Sequence, residues 1–369
     1  MDERADREVT ITPVKALMIM PKFSWNYCRE KTDYHYGPLD TTAVRTSNTY
    51  EPSIFLKWKM SRVRNMDIAF AYNTTVPDLV STLGYRNTID PLHIYMGNPL
   101  LRNSHSHTTT YNYHRMWLRK QIVLGFTASY NKDINPEATL YSYNSATGVY
   151  TSKPMNVKGG DMWQFAFNYD QGIGFYFRLM NKFALETAKS YGFLTIVDNN
   201  AADAQPELNK QKRLGINNDF EFSYETEKLQ LTLFDRLESN RYRYDDASYN
   251  TTPLFNSVGI SANLHLAPFE VFVQLSDDYC SGYATSAMNG HKLKSMASVS
   301  WSFCKNKCML RLFADDIFNK DIWYESEYSA FQRQEYSTNY IHHYLNLSFR
   351  YRLDAKAKKG KSTTISSRR

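Results

Sequence analysis

Apolar and polar residues alternate with a period of two along most of the chain, which predicts β-strands with one apolar and one polar face. In the clearest stretch, apolar residues occupy every second position over 258–266 and again over 269–275. A two-residue turn at Ala267-Pro268 sets Leu266 opposite Phe269 and keeps both apolar sets on one face. Because a slip of one residue would move every side chain to the other face, this register is strongly specified.

The same alternation predicts further hairpins, one of them across a turn at 170–172. Their facing apolar sets are Ile54, Leu56 and Trp58 with Tyr72, Phe70 and Ile68; Trp163, Phe165, Phe167 and Tyr169 with Leu179, Phe177, Phe175 and Ile173; Phe220, Phe222 and Tyr224 with Leu229, Leu231 and Leu233; Ala297, Val299, Trp301 and Phe303 with Ala314, Leu312, Leu310 and Cys308. The strand near 106–118 allows two patterns, with either Met116 and Leu118 or Tyr113 and Trp117 facing outward.

The connections between these strands alternate in length. Short ones are predicted near 61–65, 119–121, 170–172, 225–228, 267–268 and 304–307. Long ones, rich in Asn, Ser, Asp, Gly and Pro, are predicted near 31–45, 75–104, 133–159, 188–211, 239–251, 282–289 and 321–337. Fourteen strands fit between them, from a first near 15–30 to a last near 339–352.

Strand length separates a membrane barrel from a soluble β-protein. Strands of about 10–13 residues cross a bilayer at a tilt, whereas soluble sandwiches use strands of about 5–6 residues. In hydrocarbon, every backbone polar group must be paired, so a chain crosses a membrane either as helices or as a closed barrel. The sequence has no run of 18 apolar residues that could form a transmembrane helix. Short turns on one side, long loops on the other and alternate polar faces are typical of an outer-membrane barrel. A propeller would show a repeat near 40–50 residues, which the sequence lacks.

Composition and charge complete this picture. The chain has 369 residues, with 6 Trp, 28 Tyr and 21 Phe, and these aromatic residues suit the interface girdles of a barrel. The net charge of +7 falls mostly in a tail after Asp354, so the body lacks the basic surface of a nucleic-acid-binding protein. We predict a lead-in segment over 1–14, barrel strands over 15–353 and a basic disordered tail over 354–369.

Several motifs resemble those of TonB-dependent outer-membrane receptors. Asp90-Pro91 and Gly97-Asn98-Pro99-Leu100 are similar to that family's "DP…GNP-L" segment, with Val76-Pro77-Asp78-Leu79 as its lead-in. Phe313-Ala314-Asp315-Asp316-Ile317-Phe318-Asn319 resembles its late "DIFN" strand end, and the run from Leu345 to Tyr351 resembles its closing strand. The resemblance spans about residues 15–353, and the motifs occur in the family's order.

The resemblance implies a 22-stranded barrel, an N-terminal plug domain, a TonB-binding box and a signal peptide. None of the last three is evident in the sequence, and only about fourteen strands are. We therefore expect a fragment that forms part of a 22-stranded barrel, and the alternative is a fourteen-stranded barrel that closes alone. The barrel assembly machinery reads a terminal aromatic residue in many such proteins, whereas this chain continues for sixteen residues beyond Leu353. An inner-membrane energy-coupling protein would act through the absent plug.

Candidate chemistry is sparse, and we predict neither an enzyme nor a cofactor. Asp277, Asp278, His291, Asp315 and Asp316 are expected near the outer strand ends, where a charged rim or lumen wall is favoured over a catalytic group. The histidine pair His105 and His107 could share a face, but solvated histidines are favoured over a metal site. The register of Cys304 and Cys308 argues against a disulfide between them.

Aromatic residues in the outer loops offer a more natural function. They are Tyr141, Tyr143, Tyr150, Tyr242, Tyr244, Trp323, Tyr324 and Tyr328. Stacking and hydrogen bonding there suit a glycan, a siderophore or a peptide, and interface anchoring is an equal alternative. The resulting hypothesis is the barrel of a receptor for energised uptake of a scarce ligand. The alternatives are a self-contained passive porin and a barrel-borne hydrolase.

Overall fold

The computed structural model describes residues 2–36, 39–144, 146–193, 197–198, 208–318, 323–330, 333–338, 341 and 343–352. The predicted tail over 354–369 therefore lies outside the described residues. Those residues form β-strands joined by turns, loops and four three-residue 3-10 helices, at Val80–Thr82, Leu118–Lys120, Ala247–Tyr249 and Ser286–Met288. None of the described helices has the length and apolar content needed to cross a membrane.

The described residues form twenty-three strands. In chain order they are β1 Asp2–Glu8, β2 Ile11–Val14, β3 Leu17–Tyr36, β4 Leu39–Ser61, β5 Arg64–Thr75, β6 Arg86–Asp90, β7 His93–Met96, β8 Ser104–Trp117, β9 Ile122–Ile134, β10 Glu137–Asn144, β11 Val149–Asn156, β12 Asp161–Ile173, β13 Phe177–Phe193, β14 Val197–Asp198, β15 Leu208–Glu225, β16 Leu229–Arg243, β17 Leu254–Leu266, β18 Phe269–Ser281, β19 Gly290–Phe303, β20 Cys308–Asp315, β21 Trp323–Tyr328, β22 Arg333–Thr338 and β23 Tyr344–Tyr351.

One large antiparallel sheet dominates the molecule, which confirms the all-β, up-and-down prediction. Its spatial order is β1-β3-β4-β5-β8-β9-β12-β13-β15-β16-β17-β18-β19-β20-β23, and β2 pairs with β3 to make sixteen strands. Fourteen of these strands, from β3 to β23, follow the predicted meander. Within the predicted lead-in segment, β1 and β2 both pair with β3. The order runs from edge to edge, so the described part of the sheet is not closed.

Two predicted registers are reproduced residue for residue. Leu264 faces Val271 and Ala262 faces Val273 across the turn at 267–268, and Val299 faces Leu312. Two other hairpins are shifted by two residues from the predicted register, a shift that keeps each apolar set on its own face. The strand with two possible patterns, β8, places Tyr113 opposite Phe126 and Trp117 opposite Ile122, so these aromatic residues face outward.

The predicted turn at 170–172 is wrong. The strand β12 continues to Ile173, which faces Phe177, and Phe167 faces Phe183 instead of Phe175. The chain reverses at Gly174, whose φ of +64° is a left-handed conformation that glycine adopts without strain. The apolar residues that follow Gly174 continued the alternating pattern, which hid the turn in the sequence.

The predicted long loop over 31–45 is also wrong. Instead, β3 and β4 extend as a hairpin whose pairing runs from Leu17 opposite Trp58 to Tyr36 opposite Leu39. Thr41, Thr42, Val44 and Thr46 are β-branched residues that favour extended backbone even where the chain is polar. This hairpin therefore rises beyond the apolar band as a continuous ribbon.

Burial is reversed relative to a soluble protein. Val258 is 53% exposed and Ile260 is 45% exposed on the outer face, whereas Ser257 and Ser276 on the inner face are 6% and 5% exposed. No large side chain among the described residues is fully buried. A sheet that presents its leucines and valines outward and packs serines inward lacks a soluble core, and its apolar face suits lipid tails.

The long connections gather on one side of the large sheet. A second sheet in the order β14-β10-β11-β7-β6 forms from three of them, and β21 pairs with β22 in a hairpin from a fourth. The short turns lie on the opposite side. By the barrel rule of short periplasmic turns and longer outer loops, these small sheets lie outside the cell.

Candidate ligand site at the outer loops

The segment that carries the Gly-Asn-Pro motif is a tertiary anchor between two outer loops. Asn98 is 6% exposed, and its Nδ2 donates to the Pro154 carbonyl at 2.9 Å while its Oδ1 accepts from the Leu100 N–H at 3.0 Å. Asn156 links the same two loops from the other side. Its Oδ1 accepts a hydrogen bond from the Arg102 N–H at 2.7 Å, and its Nδ2 donates one to the Arg102 carbonyl at 3.0 Å. The motif therefore locks loop 76–103 onto loop 135–160.

The structure divides the predicted acidic rim cluster between the two faces of the sheet. His291 Nδ1 lies 2.7 Å from Asp277 Oδ2, and both residues are on the outer face. Asp278 is 3% exposed on the inner face, where it accepts from Ser257 Oγ at 2.5 Å and pairs with Lys294 Nζ at 3.2 Å.

The other two members of that cluster lie further along the sheet. Asp315 faces Met296 on the inner side of β20 and accepts from the Asp316 N–H at 3.1 Å, and the Asp316 carbonyl lies 2.7 Å from His343 Nδ1. The five predicted residues therefore do not converge on one catalytic point.

The predicted histidine pair flanks an aromatic ring. His105 stacks on Tyr72 at 5.5 Å and lies 3.1 Å from Thr74 Oγ1, and His107 meets the same ring edge-on at 5.8 Å. Within the described part of the chain, no three His, Cys, Asp or Glu side chains form a group that could hold a metal ion. None of the four cysteines, all of which are described, forms a disulfide.

Two of the predicted loop aromatics form a stack at the outer end of the lumen. The rings of Tyr242 and Tyr328 are 4.6 Å apart and nearly parallel, and the Arg333 guanidinium lies 5.6 Å from the Tyr328 ring. Close to this stack, Tyr244 OH accepts a hydrogen bond from Gln211 Nε2 at 2.8 Å. Residues from four strands and from the loop after β16 therefore meet here.

A cavity of about 490 Å³ opens beside this stack on the loop side. Its lining combines aromatic faces with hydroxyl and amide groups, and comprises Tyr244, Ser248, Tyr249, Asn250, Thr251, Gly282, Tyr283, Ala284, Ser329, Ala330 and Arg333. Its volume lies within the usual ~300–1,000 Å³ of small-molecule sites. Tyr249 is 55% exposed, so an aromatic face is available to a ligand.

A second cavity lies on the lumen side. It measures about 420 Å³ and is lined by charged residues that include Glu238, Asp278, Lys292 and Lys294. Tyr283 lines both this cavity and the outer one, so the two cavities meet at this residue. A ligand that left the outer cavity toward the lumen would pass Tyr283.

Matching clasps hold the two loops that carry Tyr244 and Tyr283. Asn250 Oδ1 accepts from the Tyr244 N–H at 2.9 Å, and Asn289 Oδ1 accepts from the Tyr283 N–H at 3.0 Å. In each loop, a 3-10 helix occupies the three residues before the asparagine. The two tyrosines are therefore presented on short, hydrogen-bonded loops of the same design.

Electrostatics in the outer cavity favour neutral groups. Arg333 Nε donates to Glu335 Oε1 at 2.9 Å, and Glu335 also accepts from Thr285 Oγ1, so the guanidinium charge is already balanced. Burial raises the pKa of Tyr283 to about 12, and it also raises the pKa of Tyr244. Both phenols therefore stay protonated hydrogen-bond donors at physiological pH.

Sequence reasoning found part of this site. It named Tyr242, Tyr244 and Tyr328, but it missed Tyr283 and Arg333. A signal for Tyr283 was present, because Tyr-Asp-Asp-Ala-Ser-Tyr-Asn over 244–250 and Tyr-Ala-Thr-Ser-Ala-Met-Asn over 283–289 share a tyrosine and an asparagine at the same spacing.

The remaining predicted aromatics lie elsewhere in the outer region. Tyr143 and Tyr150 pair at 4.6 Å in the hairpin of β10 and β11, and Tyr141 lies on the same strand as Tyr143. The side chains of Trp323 and Tyr324 lie outside the described residues. The structure therefore brings three of the eight named aromatics into one site.

Two solved structures are similar to this chain at low sequence identity. One is described as "Copper transporter OprC", with a TM-score of 0.38 and 10% identity, covering 85% of this chain and 58% of that one. The other is described as "Crystal structure of ferric citrate transporter FecA in the unliganded form", with a TM-score of 0.28 and 12% identity, covering 94% of this chain and 60% of that one. The chain spans about three fifths of the length of either structure.

A family model covers most of the chain. The model of the "Outer membrane protein beta-barrel family" matches residues 29–351, while no curated protein sequence matches the chain. The match agrees with the exposed apolar face and the polar inner face, and it confirms the predicted location in the lipid bilayer of the cell outer membrane. The chain belongs to the outer membrane protein beta-barrel family.

Proposed function

We propose that this chain forms the barrel wall of a TonB-dependent receptor. Such a receptor would take up a scarce small ligand across the outer membrane in an energised process. The observation that carries this proposal is the position of Tyr283 between an outer cavity and a lumen cavity. A receptor needs a capture site that faces outside and a polar path below it. The two cavities supply this sequence of environments.

The outer cavity is the proposed capture site. Aromatic faces, hydroxyl groups and amide groups there suit a glycan, a siderophore or a peptide. The clasps on Asn250 and Asn289 reduce the entropy lost when the loops meet a ligand, because the loops are already ordered. Binding at this point concentrates a scarce ligand above the lumen.

The inner face at the short-turn side suits a polar partner inside the barrel. A cavity of about 430 Å³ there is lined by Arg311, Arg350 and Glu270 among other residues, and Arg311 Nη2 donates to Ser298 Oγ at 3.3 Å. We propose that a plug domain contacts this charged wall. Displacement of the plug by an inner-membrane energy-coupling protein would then open the path to the periplasm.

Uptake measurements in cells test the energised route. The probes are radiolabelled trisaccharides, ferric siderophores and tripeptides, supplied at limiting concentration to cells with the gene and cells without it. We expect one probe to accumulate only in cells with the gene, and a protonophore to abolish this accumulation. Gene-dependent accumulation that a protonophore leaves unchanged would contradict the energised route.

A passive porin is the alternative. The polar inner face favours this function because such a face suits a water-filled channel. Liposome swelling separates the two functions. Steady flux of arabinose and raffinose through the reconstituted chain would support the porin. Absence of such flux through the folded, inserted chain would contradict the porin.

A further inference from the structure

A row of five charged residues and one histidine crosses six neighbouring strands on the outer face of the sheet, at the loop side. Direct cross-strand partners define the row, which consists of His107, Lys132, Asp161, Lys189, Lys212 and Arg243. We call it the basic row. The outward side chains of the same strands are mostly apolar lower down, as with Phe126 and Phe167, although Asn181, Asn218 and Asp235 share this face. The basic row is therefore on the lipid side of the wall, not in the lumen.

The height of the basic row matches the level of lipid headgroups. Lys189 lies twelve residues beyond Phe177, the first residue of β13 after the short turn. At a rise of about 3.3 Å per residue and a tilt of about 40°, this distance corresponds to roughly 30 Å along the membrane normal. An outer-membrane barrel has an apolar band of about 25 Å, so Lys189 lies just above that band.

Beneath the row, the outer face carries aromatic or apolar residues on β9, β12 and β15, whereas Thr187 lies beneath Lys189 and Arg241 lies beneath Arg243. Two positions below the basic row, the rings of Trp163 and Tyr130 are tilted against each other with their centres 4.4 Å apart, and Leu214 faces Thr187. Trp163 is 43% exposed and Leu214 is 39% exposed. The wall thus offers an apolar surface for acyl chains and, immediately above it, cations for headgroups.

Three cations in the basic row are direct neighbours. Lys189 faces Lys212 and Lys212 faces Arg243, with no acidic residue between them in the row. Like charges directly opposite each other on a sheet are destabilising. Asp161 faces both Lys132 and Lys189, so it balances charge on one side of Lys189, whereas Lys212 and Arg243 have no acidic residue opposite them in the row. An anion at the level of these three residues would relieve their repulsion.

A fourth cation approaches the same place. Lys158 Nζ and Lys189 Nζ each lie 5.5 Å from the centre of the Tyr191 ring, which draws both ammonium groups toward one point. On the flank that carries β18 and β19, the outer face at the loop side instead holds the pair Asp277 and His291. The basic row therefore borders a region of mixed charge on that flank, and on the other flank Arg29 and Lys31 place further cations on the outer face of β3.

We propose that the basic row binds the phosphates of lipopolysaccharide, the anionic lipid of the outer leaflet, while Trp163 and Leu214 contact its acyl chains. Charge complementarity selects a phosphorylated headgroup, and the apolar surface beneath selects a lipid over a free phosphate. The occupied site would fix the chain's depth in the membrane and offset the repulsion between Lys189, Lys212 and Arg243.

The test compares lipid binding by the refolded full chain and by the variant Lys189→Gln/Lys212→Gln/Arg243→Gln. The control Lys15→Gln/Lys228→Gln/Lys305→Gln removes the same charge from the short turns. A second variant, Lys189→Arg/Lys212→Arg/Arg243→Lys, retains the charge. Heat-modifiable migration on gels selects folded protein, and binding is measured with deep-rough lipopolysaccharide, its dephosphorylated form and inorganic pyrophosphate.

We expect the neutralised variant to bind lipopolysaccharide about 100-fold more weakly, because each cation near an anionic lipid surface contributes roughly fivefold in affinity. The control and the charge-retaining variant should bind like the original chain. Equal binding of the dephosphorylated lipid would overturn the proposal, as would undiminished binding by the neutralised variant. Pyrophosphate that binds as tightly as the lipid would show a site for free phosphate and would overturn it also.

Discussion

The side chain of Asn289 closes a ring of hydrogen bonds around the backbone of Tyr283. Its Oδ1 accepts from the Tyr283 N–H at 3.0 Å, and its Nδ2 donates to the Tyr283 carbonyl at 2.9 Å. A side chain six residues away thus satisfies both polar groups of one peptide residue. The clasp therefore holds the backbone of Tyr283, the residue that lines both cavities.

Removing the clasp should loosen one loop without affecting the barrel. Each hydrogen bond of this kind contributes about 1 kcal/mol, so Asn289→Ala should increase hydrogen exchange at the Tyr283 amide by roughly 10- to 100-fold. Hydrogen exchange measured by mass spectrometry of peptides over 282–290 checks this expectation. Asn250→Ala is the matched control, because it should raise exchange in loop 244–251 and leave loop 282–290 unchanged. Equal protection of loop 282–290 in the original chain and in Asn289→Ala would contradict the role of the clasp.

Alkaline titration should reveal Tyr283 as a distinct phenol. Burial raises its pKa from the ordinary 10.0 to about 12. The folded chain keeps this proton after the unfolded chain has lost it, so the associated stability is complete below about pH 10 and is lost as the pH rises through 12. The phenolate absorbance of the folded chain minus that of Tyr283→Phe should show a transition near pH 12. A difference curve centred on the ordinary pKa of tyrosine would show that the ring is solvated.

Asn98 should stabilise the small sheet in the outer loops and contribute little to the stability of the large sheet. Asn98→Ala leaves the Pro154 carbonyl and the Leu100 N–H without their buried partner, which costs about 1–3 kcal/mol. We expect faster proteolysis within 76–103 and 137–157, with an unchanged melting temperature of the barrel. Asn87→Ala is the control, because Asn87 caps only a local turn at Ile89. A loss of the folded barrel band in Asn98→Ala would show that the anchor supports the whole wall.

The large sheet could be predicted because its information is local. Period-two alternation and a two-residue turn were enough to place Leu264 opposite Val271. Prediction failed where local signals conflict. Apolar Phe175 continued the alternation past the turn that Gly174 makes, and threonines in 39–46 formed strand where polar composition indicated loop.

The candidate site could not be predicted in the same way because its parts are distant in sequence. Tyr244, Tyr283 and Arg333 come from three different outer connections, and no periodicity relates one loop to the next. The spacing of tyrosine and asparagine in two loops was a readable signal for the clasps. The contact of Arg333 with Glu335 and Tyr328 depends on how the hairpin of β21 and β22 folds over the lumen, which strand patterns do not encode.

The direction of the two sheet faces can be tested at neighbouring positions of β17. Ile260 faces Leu233 and Leu275 on the outer face, and Ser261 faces Thr232 and Gln274 on the inner face. Ile260→Arg would place a charge in the lipid near the bilayer midplane, at a cost of about 2–4 kcal/mol. Ser261→Arg would place the same charge in the polar interior and should cost much less.

Folding into lipid vesicles under increasing urea measures this difference, with the heat-modifiable gel band as the readout of the folded state. We expect the midpoint of Ile260→Arg to fall well below that of Ser261→Arg, which should stay close to the original chain. Both variants carry the same new side chain on adjacent residues of one strand, so a general effect of arginine on folding would lower both midpoints equally. A midpoint that falls more for Ser261→Arg would mean that the leucine-rich face is the inner one, as in a soluble sandwich of two packed sheets.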